Sequence, residues 1–281
     1  MGAPIPVLID ADVLAYMHSS VGNHDEFDEE GQFVRHVIDP FDWLTQSLRN
    51  HVDEIQEACG SSIEPFMFLT GDTNFRNDVA KLKVYKGNRQ AEKPYHLANM
   101  RAHIRGHYNT YLSKGCEADD LLAIAQTQYR KEGVKSIIAT VDKDLLQVAG
   151  HHYRWEGYNF GETPVHLVDE FGSLEDKGKK VEGTGYIWFC YQILAGDNAD
   201  NIPGLPGCGP KKAYKALCEA VTAQEAFGIV LSLYRDKYLE TATQELTEQA
   251  TLVWMVRAMD GEGKLVHFNL QEHIDGYKES S

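Results

Sequence analysis

The stretch G-D-N-A-D-N-I-P-G-L-P-G-C-G-P-K-K-A-Y-K-A-L (196–217) decides between two folds. Gly204, Gly207 and Gly209 permit a tight loop whose amides can face a phosphate. Pro210 suits the first position of the next helix, whose N-terminus also attracts an anion. Lys211, Lys212 and Lys215 add positive charge. A dinucleotide-binding loop uses similar glycines but follows an early strand. Here the preceding segment, Tyr186–Leu194, reads as a helix. A helix–hairpin–helix that grips a DNA backbone through its phosphates, without reading sequence, fits better.

Upstream, Val7-Leu8-Ile9 is a short apolar run ending in Asp10, the pattern of a buried parallel strand. Residues 22–32 are polar and acidic and read as a loop or hairpin. Residues 41–58 have the spacing of an amphipathic helix, with Phe41, Leu44, Leu48, Val52 and Ile55 on one face. Pro65-Phe66-Met67-Phe68-Leu69 is a second buried strand, running out in Thr70-Gly71-Asp72. Ala118–Tyr129 reads as a helix, and Ser136–Val141 as a third strand ending in Asp142. Alternation of strand and helix predicts an α/β domain with a mainly parallel sheet. The Gly/Lys-rich patch 175–185 marks a boundary, giving a domain over 1–180 and a helical module over 181–281. The helix–hairpin–helix occupies about 187–217 of that module.

Among 281 residues, 43% are hydrophobic and 25% charged, as in ordinary soluble proteins. No run approaches the ~20 apolar residues of a membrane helix, and the N-terminus lacks the pattern of a signal peptide. The five cysteines (59, 116, 190, 208, 218) form no C-x-x-C pair and read as reduced thiols of a cytoplasmic protein. The net charge of −15 argues against a nucleic-acid partner until its distribution is considered. Between Arg76 and His107 stand eight basic and two acidic residues, a local +6, which leaves −21 for the rest. Such a stripe can bind a phosphate backbone whatever the global sum. A solvated helical face is the plain alternative.

Acidic residues gather where strands give out. Asp10 and Asp72 follow apolar strands, and Asp142 and Asp144, two apart in an extended segment, follow a third. Glu117, Asp119 and Asp120 open a helix, with Glu117 and Asp120 on one face, and Asp197 and Asp200 share that three-residue spacing. The ends of parallel strands form the crevice where open α/β sheets bind ligands. A like-charged pair ~4 Å apart costs about 4 kcal/mol at an effective dielectric of 20, so such a cluster calls for divalent cations. Oxygen ligands without a His–Cys set favour Mg²⁺ or Mn²⁺ over zinc. Two such ions ~3.5–4 Å apart suit hydrolysis of a phosphodiester. Each pair alone has a duller reading, in helix dipoles and turns. Asp12 reads as a helix cap.

The motifs L-I-D-A-D-V-L-A-Y (8–16), V-Y-K-G-N-R (84–89), G-C-E-A-D-D (115–120), T-V-D-K-D (140–144) and the hairpin stretch occur in one order. Together they resemble the bacteriophage and bacterial 5′-nucleases: flap endonucleases and 5′→3′ exonucleases, including the 5′-nuclease domain of DNA polymerase I. The resemblance spans roughly residues 7–217. It implies a PIN-like α/β domain with a helix-three-turn-helix. It also implies two Mg²⁺ ions, Mn²⁺ substituting, held by Asp10, Asp72, Glu117, Asp119 and Asp120 and by Asp142, Asp144, Asp197 and Asp200. The basic segment at about 76–107 corresponds to the family's arch or clamp. There Lys86 would reach the scissile phosphate, Arg89 a neighbouring one, and Tyr85 would stack on a base, with Lys83 and Arg76 as further DNA contacts. The hairpin would hold the duplex, with K⁺ bridging its carbonyls to a phosphate. The implied substrate is DNA with a 5′ end or flap, RNA-primed ends included, cut by a monomer to leave a 5′-phosphate. A chain that stops without a polymerase reads as phage-encoded, acting in the host cytoplasm. The rival readings are a non-catalytic DNA-binding relative, which needs gaps in the carboxylate set, and a PIN-type ribonuclease, which lacks the glycine hairpin. Two departures from the family stand out: a short loop between Asp72 and Phe75-Arg76, and Cys208 in place of an aliphatic residue.

Overall fold

Val7-Leu8-Ile9 lies at the centre of a sheet and is buried on both faces. The computed structural model describes residues 3–20, 24–27, 30–36, 40–60, 62–89, 92–155 and 164–276. The chain runs β1 (Ile5–Asp10), α1 (Ala11–Met17), a hairpin of β2 (His24–Phe27) and β3 (Phe33–His36), and α2 (Pro40–Cys59). It continues through β4 (Ile63–Leu69), the short α3 (Arg76–Val79), α4 (Leu97–His107), β5 (Thr110–Leu112), α5 (Ala118–Lys131) and β6 (Ile137–Ala139). After a 3-10 turn at Asp144–Gln147 come β7 (Gly150–Tyr153) and β8 (Val165–Val168).

The main sheet has the order β5-β4-β1-β6-β7-β8. Its strands are parallel except for β8, which pairs antiparallel with β7. Alternation along each strand distributes its side chains between two layers. Val7 and Ile9 pack with Met67, Leu69, Ile137 and Ala139 under α1, α2 and α4. The predicted apolar face of α2 is what it buries: Leu44, Leu48, Val52 and Ile55 lie inside, with Phe41 at the margin. Leu8, Phe68 and Ile138 face the other way, under Ala118, Leu122 and Ala123 of α5. From β1 the chain steps outward to β4 and β5, then returns past β1 to β6. That reversal opens a crevice at the carboxyl ends of β1 and β6.

The patch expected as a boundary is itself ordered. Leu174–Asp176 (β9) and Val181–Gly183 (β10) form a hairpin, turned by Gly178 at φ +81° with its amide on Asp176 Oδ1 at 2.8 Å. Only Leu174 and Val181 anchor it to the core, too few apolar positions to show alternation. Beyond it lie α6 (Gly185–Ala195), α7 (Pro210–Leu217), α8 (Ala223–Tyr238), α9 (Ala242–Val253) and α10 (Leu270–Ile274). The α6 helix is apolar all round and forms the axis of this second core, with Phe227, Tyr234, Leu246 and Trp254 around it. The segment after α9 returns to the sheet domain, where Met255 packs with Leu8, Phe68 and Leu122. Residues 22–23, 28–29, 90–91 and 277–281, within the expected hairpin, arch and helical module, lie outside the described residues.

Candidate active site

Three segments bring carboxylates to the crevice: the start of α5, the turn after β6, and the loop after α6. Glu117, Asp119, Asp142, Asp144, Asp197 and Asp200 line one small cleft, together with Tyr85, Lys86, Arg89 and Gln192. Asp10 sits just below. It caps α1 by accepting from the Val13 amide at 3.1 Å, and it accepts from the Thr140 hydroxyl at 2.8 Å. Asp12, expected as the cap, instead accepts from the Thr70 amide at 2.8 Å and pairs with Arg101. Asp142 and Asp144 are not extended neighbours: Asp144 opens the 3-10 turn, and its amide donates to Asp142 Oδ1 at 2.8 Å. Asp197 and Asp200 lie in a tight loop closed by the Asp197–Ile202 bridge, with Asn201 at φ +60°.

Burial pushes the Asp10 carboxyl up to about 7, and repulsion from Asp12 and Asp142 adds to it. Burial likewise raises Asp144 to about 7, with Asp142 adding and Lys143 opposing. Asp119 is also raised well above the usual carboxylate range, by burial first and then by Asp10, Asp142 and Glu117. Asp197 goes the other way: burial raises it, but the Lys143 ammonium and the Ala199 and Asp200 amides together outweigh that and hold it below the usual carboxylate range.

Two lysines stand among these groups. Lys86 Nζ lies 2.5 Å from Glu117 Oε1 and 3.7 Å from Asp200 Oδ2. Lys143 Nζ lies 2.5 Å from Asp197 Oδ2 and 2.7 Å from Asp144 Oδ1. Among the described residues no three Asp, Glu, His or Cys side chains converge closely enough to ligate one ion. The donor chemistry still fits a hard divalent cation, because neither His nor Cys lines the cleft and the oxygens are crowded enough to need charge compensation.

Several expected site residues are placed otherwise. Arg76 is 2% exposed and clamps Asp120 through two hydrogen bonds of 2.6 and 2.9 Å. Its remaining donors reach the carbonyls of Leu252 and Trp254 at 2.9 and 2.7 Å. A guanidinium so enclosed cannot meet DNA, so Arg76 is a structural residue rather than a DNA contact. Asp120 is fully buried, and it also accepts from the Val256 and Glu117 amides at 3.0 and 3.1 Å. Its oxygens are committed beneath the cleft, which removes it as a candidate ion ligand. Asp72 is exposed beyond β4 and does not line the cleft. Tyr85 is buried, and its hydroxyl lies 2.7 Å from Glu117 Oε2 and 2.8 Å from Asp200 Oδ2, with one proton to donate between them, so its ring is not presented for base stacking. Arg89 pairs with Asp200 at 2.8 Å, while Lys83 is exposed.

In the hairpin, Gly204 is buried and its amide donates to Gln249 Oε1 at 2.9 Å, so that amide is not offered to a phosphate. Its φ of +65° and its close approach to Gly196 explain the glycine. Gly207 also has a left-handed φ, +82°, but is open to solvent. Gly209 precedes α7 with an ordinary φ of −75°, and a Cβ there would meet nothing. Lys211, Lys212 and Lys215 are exposed along the first turns of α7.

Sequence reasoning passed over three participants. Thr140 fixes Asp10, Gln192 donates to Asp144 Oδ1 at 2.6 Å, and Lys143 bridges Asp144 and Asp197. For Lys143 a signal existed, a cation enclosed between two acids in D-K-D (142–144).

A mainly parallel sheet with a carboxylate-lined crevice at its switch point and a helical module beside it defines a PIN-like, resolvase-like protein. The chain belongs to the family of 5′-3′ exonucleases with an N-terminal resolvase-like domain, whose family model matches residues 7–171. It is 39% identical over 108 residues to the thermostable DNA polymerase I of Thermus aquaticus, covering 37% of this chain and 12% of that one. It is 33% identical over 124 residues to the flap endonuclease Xni of Shewanella halifaxensis (strain HAW-EB4), covering 43% of this chain and 45% of that one. The matches thus span less than half the length of either relative. In fold it is similar to the T5 5′-exonuclease solved with divalent metal ions (zinc), with a TM-score of 0.58 at 13% identity over 89% of this chain and 88% of that one. No helix among the described residues is long and apolar enough to cross a membrane.

Proposed function

We propose that this chain is a divalent-metal-dependent 5′-nuclease that hydrolyses DNA at a 5′ end or flap, RNA-primed ends included. One observation carries the reading: six carboxylates from three segments line a single cleft at the sheet's switch point, with lysines between them. Asp10, Glu117 and Asp119, with Asp72 from the rim, would hold one Mg²⁺, and Asp142, Asp144, Asp197 and Asp200 the other; Mn²⁺ would serve as well. Bound there, the ions supply an acidified water and offset charge on the phosphate. The protein's own groups do the rest. Lys86 and Arg89, released from Glu117 and Asp200, bind and orient the scissile and neighbouring phosphates. Gln192 and Thr140 keep Asp144 and Asp10 in place.

The hairpin with Gly207, Gly209, Lys211, Lys212 and Lys215 would hold the duplex backbone, K⁺ bridging its carbonyls to a phosphate, and Lys83 would extend that track. On this reading residues 1–180 are the nuclease domain and 181–281 the DNA-gripping module, and the chain acts as a monomer in the cytoplasm. The test is incubation with 5′-labelled flap and blunt duplex DNA, with Mg²⁺ and with chelator, beside Asp142→Asn. Mg²⁺-dependent shortening at the 5′ end, abolished in the variant while DNA binding persists, is the expected result. Binding without any Mg²⁺-dependent product would overturn the nuclease reading.

A further inference from the structure

We propose that Lys143 is a built-in counter-cation that competes with a divalent ion for the Asp144–Asp197 pair, so that ion entry requires its ammonium to withdraw. The inference rests on the reading above that an ion occupies this pair. Asp144 and Asp197 belong to segments far apart in the chain, yet one ammonium contacts both, at 2.7 and 2.5 Å. Among the described residues these two carboxylates are the only hydrogen-bonding partners of Lys143 Nζ. The ammonium thus stands where a cation shared by the two acids has to stand.

The surroundings allow it to leave without cost to the frame. Lys143 is 49% exposed, whereas Asp144 and Asp197 are 17% and 6% exposed. Its Nζ lies over the Trp188 ring, 6.0 Å from the centroid, and the half-exposed side chain can turn outward to water. The backbone does not need to follow, because the Asp144 amide stays bonded to Asp142 Oδ1. Each carboxylate also keeps a second anchor. Gln192 donates to Asp144 Oδ1 at 2.6 Å, and the Ala199 amide donates to Asp197 Oδ1 at 2.7 Å. The acids therefore remain aimed at a common point when the lysine withdraws, which is what a preorganised ion site needs. The lysine keeps the apo cleft from carrying two uncompensated buried charges.

The test is calorimetric titration of Mn²⁺ into the DNA-free full chain, comparing wild type, Lys143→Met and Asp144→Asn. Methionine keeps an unbranched apolar stem while removing the charge. A half-exposed ammonium shared by two acids is worth roughly tenfold in competition, so Lys143→Met should bind the ion at Asp144–Asp197 about tenfold more tightly. Asp144→Asn should lose that ion. Equal affinity in wild type and Lys143→Met would overturn the competition and leave the ion site standing. No Mn²⁺ binding that Asp144→Asn removes, in either background, would overturn the ion reading and this proposal with it.

Discussion

Replacing Arg76 by methionine should unfold this protein far more readily than its place in a basic segment implies. The guanidinium is 2% exposed and its partner Asp120 is fully buried. The pair joins α3 to the first turn of α5, and the two carbonyls ties it to the segment after α9. Methionine fills much of the volume but leaves the Asp120 charge with only the Val256 and Glu117 amides. Breaking a buried pair from one side costs about 3–5 kcal/mol, because the other charge is stranded. The lost hydrogen bonds to the Leu252 and Trp254 carbonyls add to this, but their cost overlaps with the first, so about 4 kcal/mol is expected. For a chain of this size that corresponds to a melting temperature lower by roughly 8–16 °C. Urea unfolding of Arg76→Met, Asp120→Asn and the double variant measures it. Asparagine removes the stranded charge and still accepts from one of the two amides, so the double variant should regain part of the loss relative to Arg76→Met. A loss under about 1 kcal/mol in Arg76→Met, or a double variant no better than the single, would refute the buried-pair argument.

Two further outcomes follow from particular side chains. His152 is buried with Nε2 on the Val148 carbonyl at 2.7 Å, and burial holds it at about 3, below the usual histidine value. Its folded pKa is depressed, so below about 6.5 the unfolded chain takes the proton that the folded chain refuses. Stability therefore falls as pH drops from about 6.5 toward 3, by about 2 kcal/mol between pH 6.5 and 5 from this group alone. His152→Gln should flatten that slope in urea titrations at several pH values, and an unchanged slope would remove His152 as its source. In the hairpin, Gly204→Ala forces a Cβ to 2.3 Å from the Gly196 nitrogen at φ +65°, and should cost about 2–4 kcal/mol. Gly209→Ala meets open space, so stability should hold within about 0.5 kcal/mol while duplex affinity falls several-fold. Unaltered affinity would mean that the backbone at Gly209 does not touch the duplex.

Legibility followed the range of the interaction. Val7–Ile9 and Met67–Leu69 are readable as unbroken apolar runs because those strands are buried on both faces, and the α2 stripe because its burial recurs at the helical period. The strand-end acids were readable for the same reason: the end of an apolar run locates the end of a strand. Long-range commitments were not. Nothing in F-R (75–76) says that the arginine turns inward to an aspartate 44 residues on, or that Leu252 and Trp254 supply its other acceptors. The same blindness put Asp120 among the ligands and presented Tyr85 as a stacking ring, because a helix face shows which residues are neighbours and not which neighbour is already spoken for. The β9–β10 hairpin escaped because its polar strands rest on two apolar residues only.

The charge balance of the whole molecule takes on a different meaning once these placements are known. The segment 84–89 lies against the loop 198–201: the Lys86 amide donates to the Asp200 carbonyl at 2.9 Å, Asn88 to the Asn198 carbonyl at 2.6 Å, and Asn201 to the Val84 carbonyl at 2.9 Å. Lys86 and Arg89 thus spend their charge on the protein's own acids, and both line a cleft of only about 30 Å³. On the proposed function a phosphodiester reaches Glu117 and Asp200 when those side chains lift. When they do, Glu117 and Asp200 lose their cations and need others. Divalent ions entering with the substrate would supply that charge, so the lysines pass from carboxylate to phosphate while the acids pass from ammonium to metal. An exchange of that kind changes the net electrostatic energy far less than bringing DNA to a bare acidic surface, and on the proposed function it is how a chain of charge −15 would hold a polyanion.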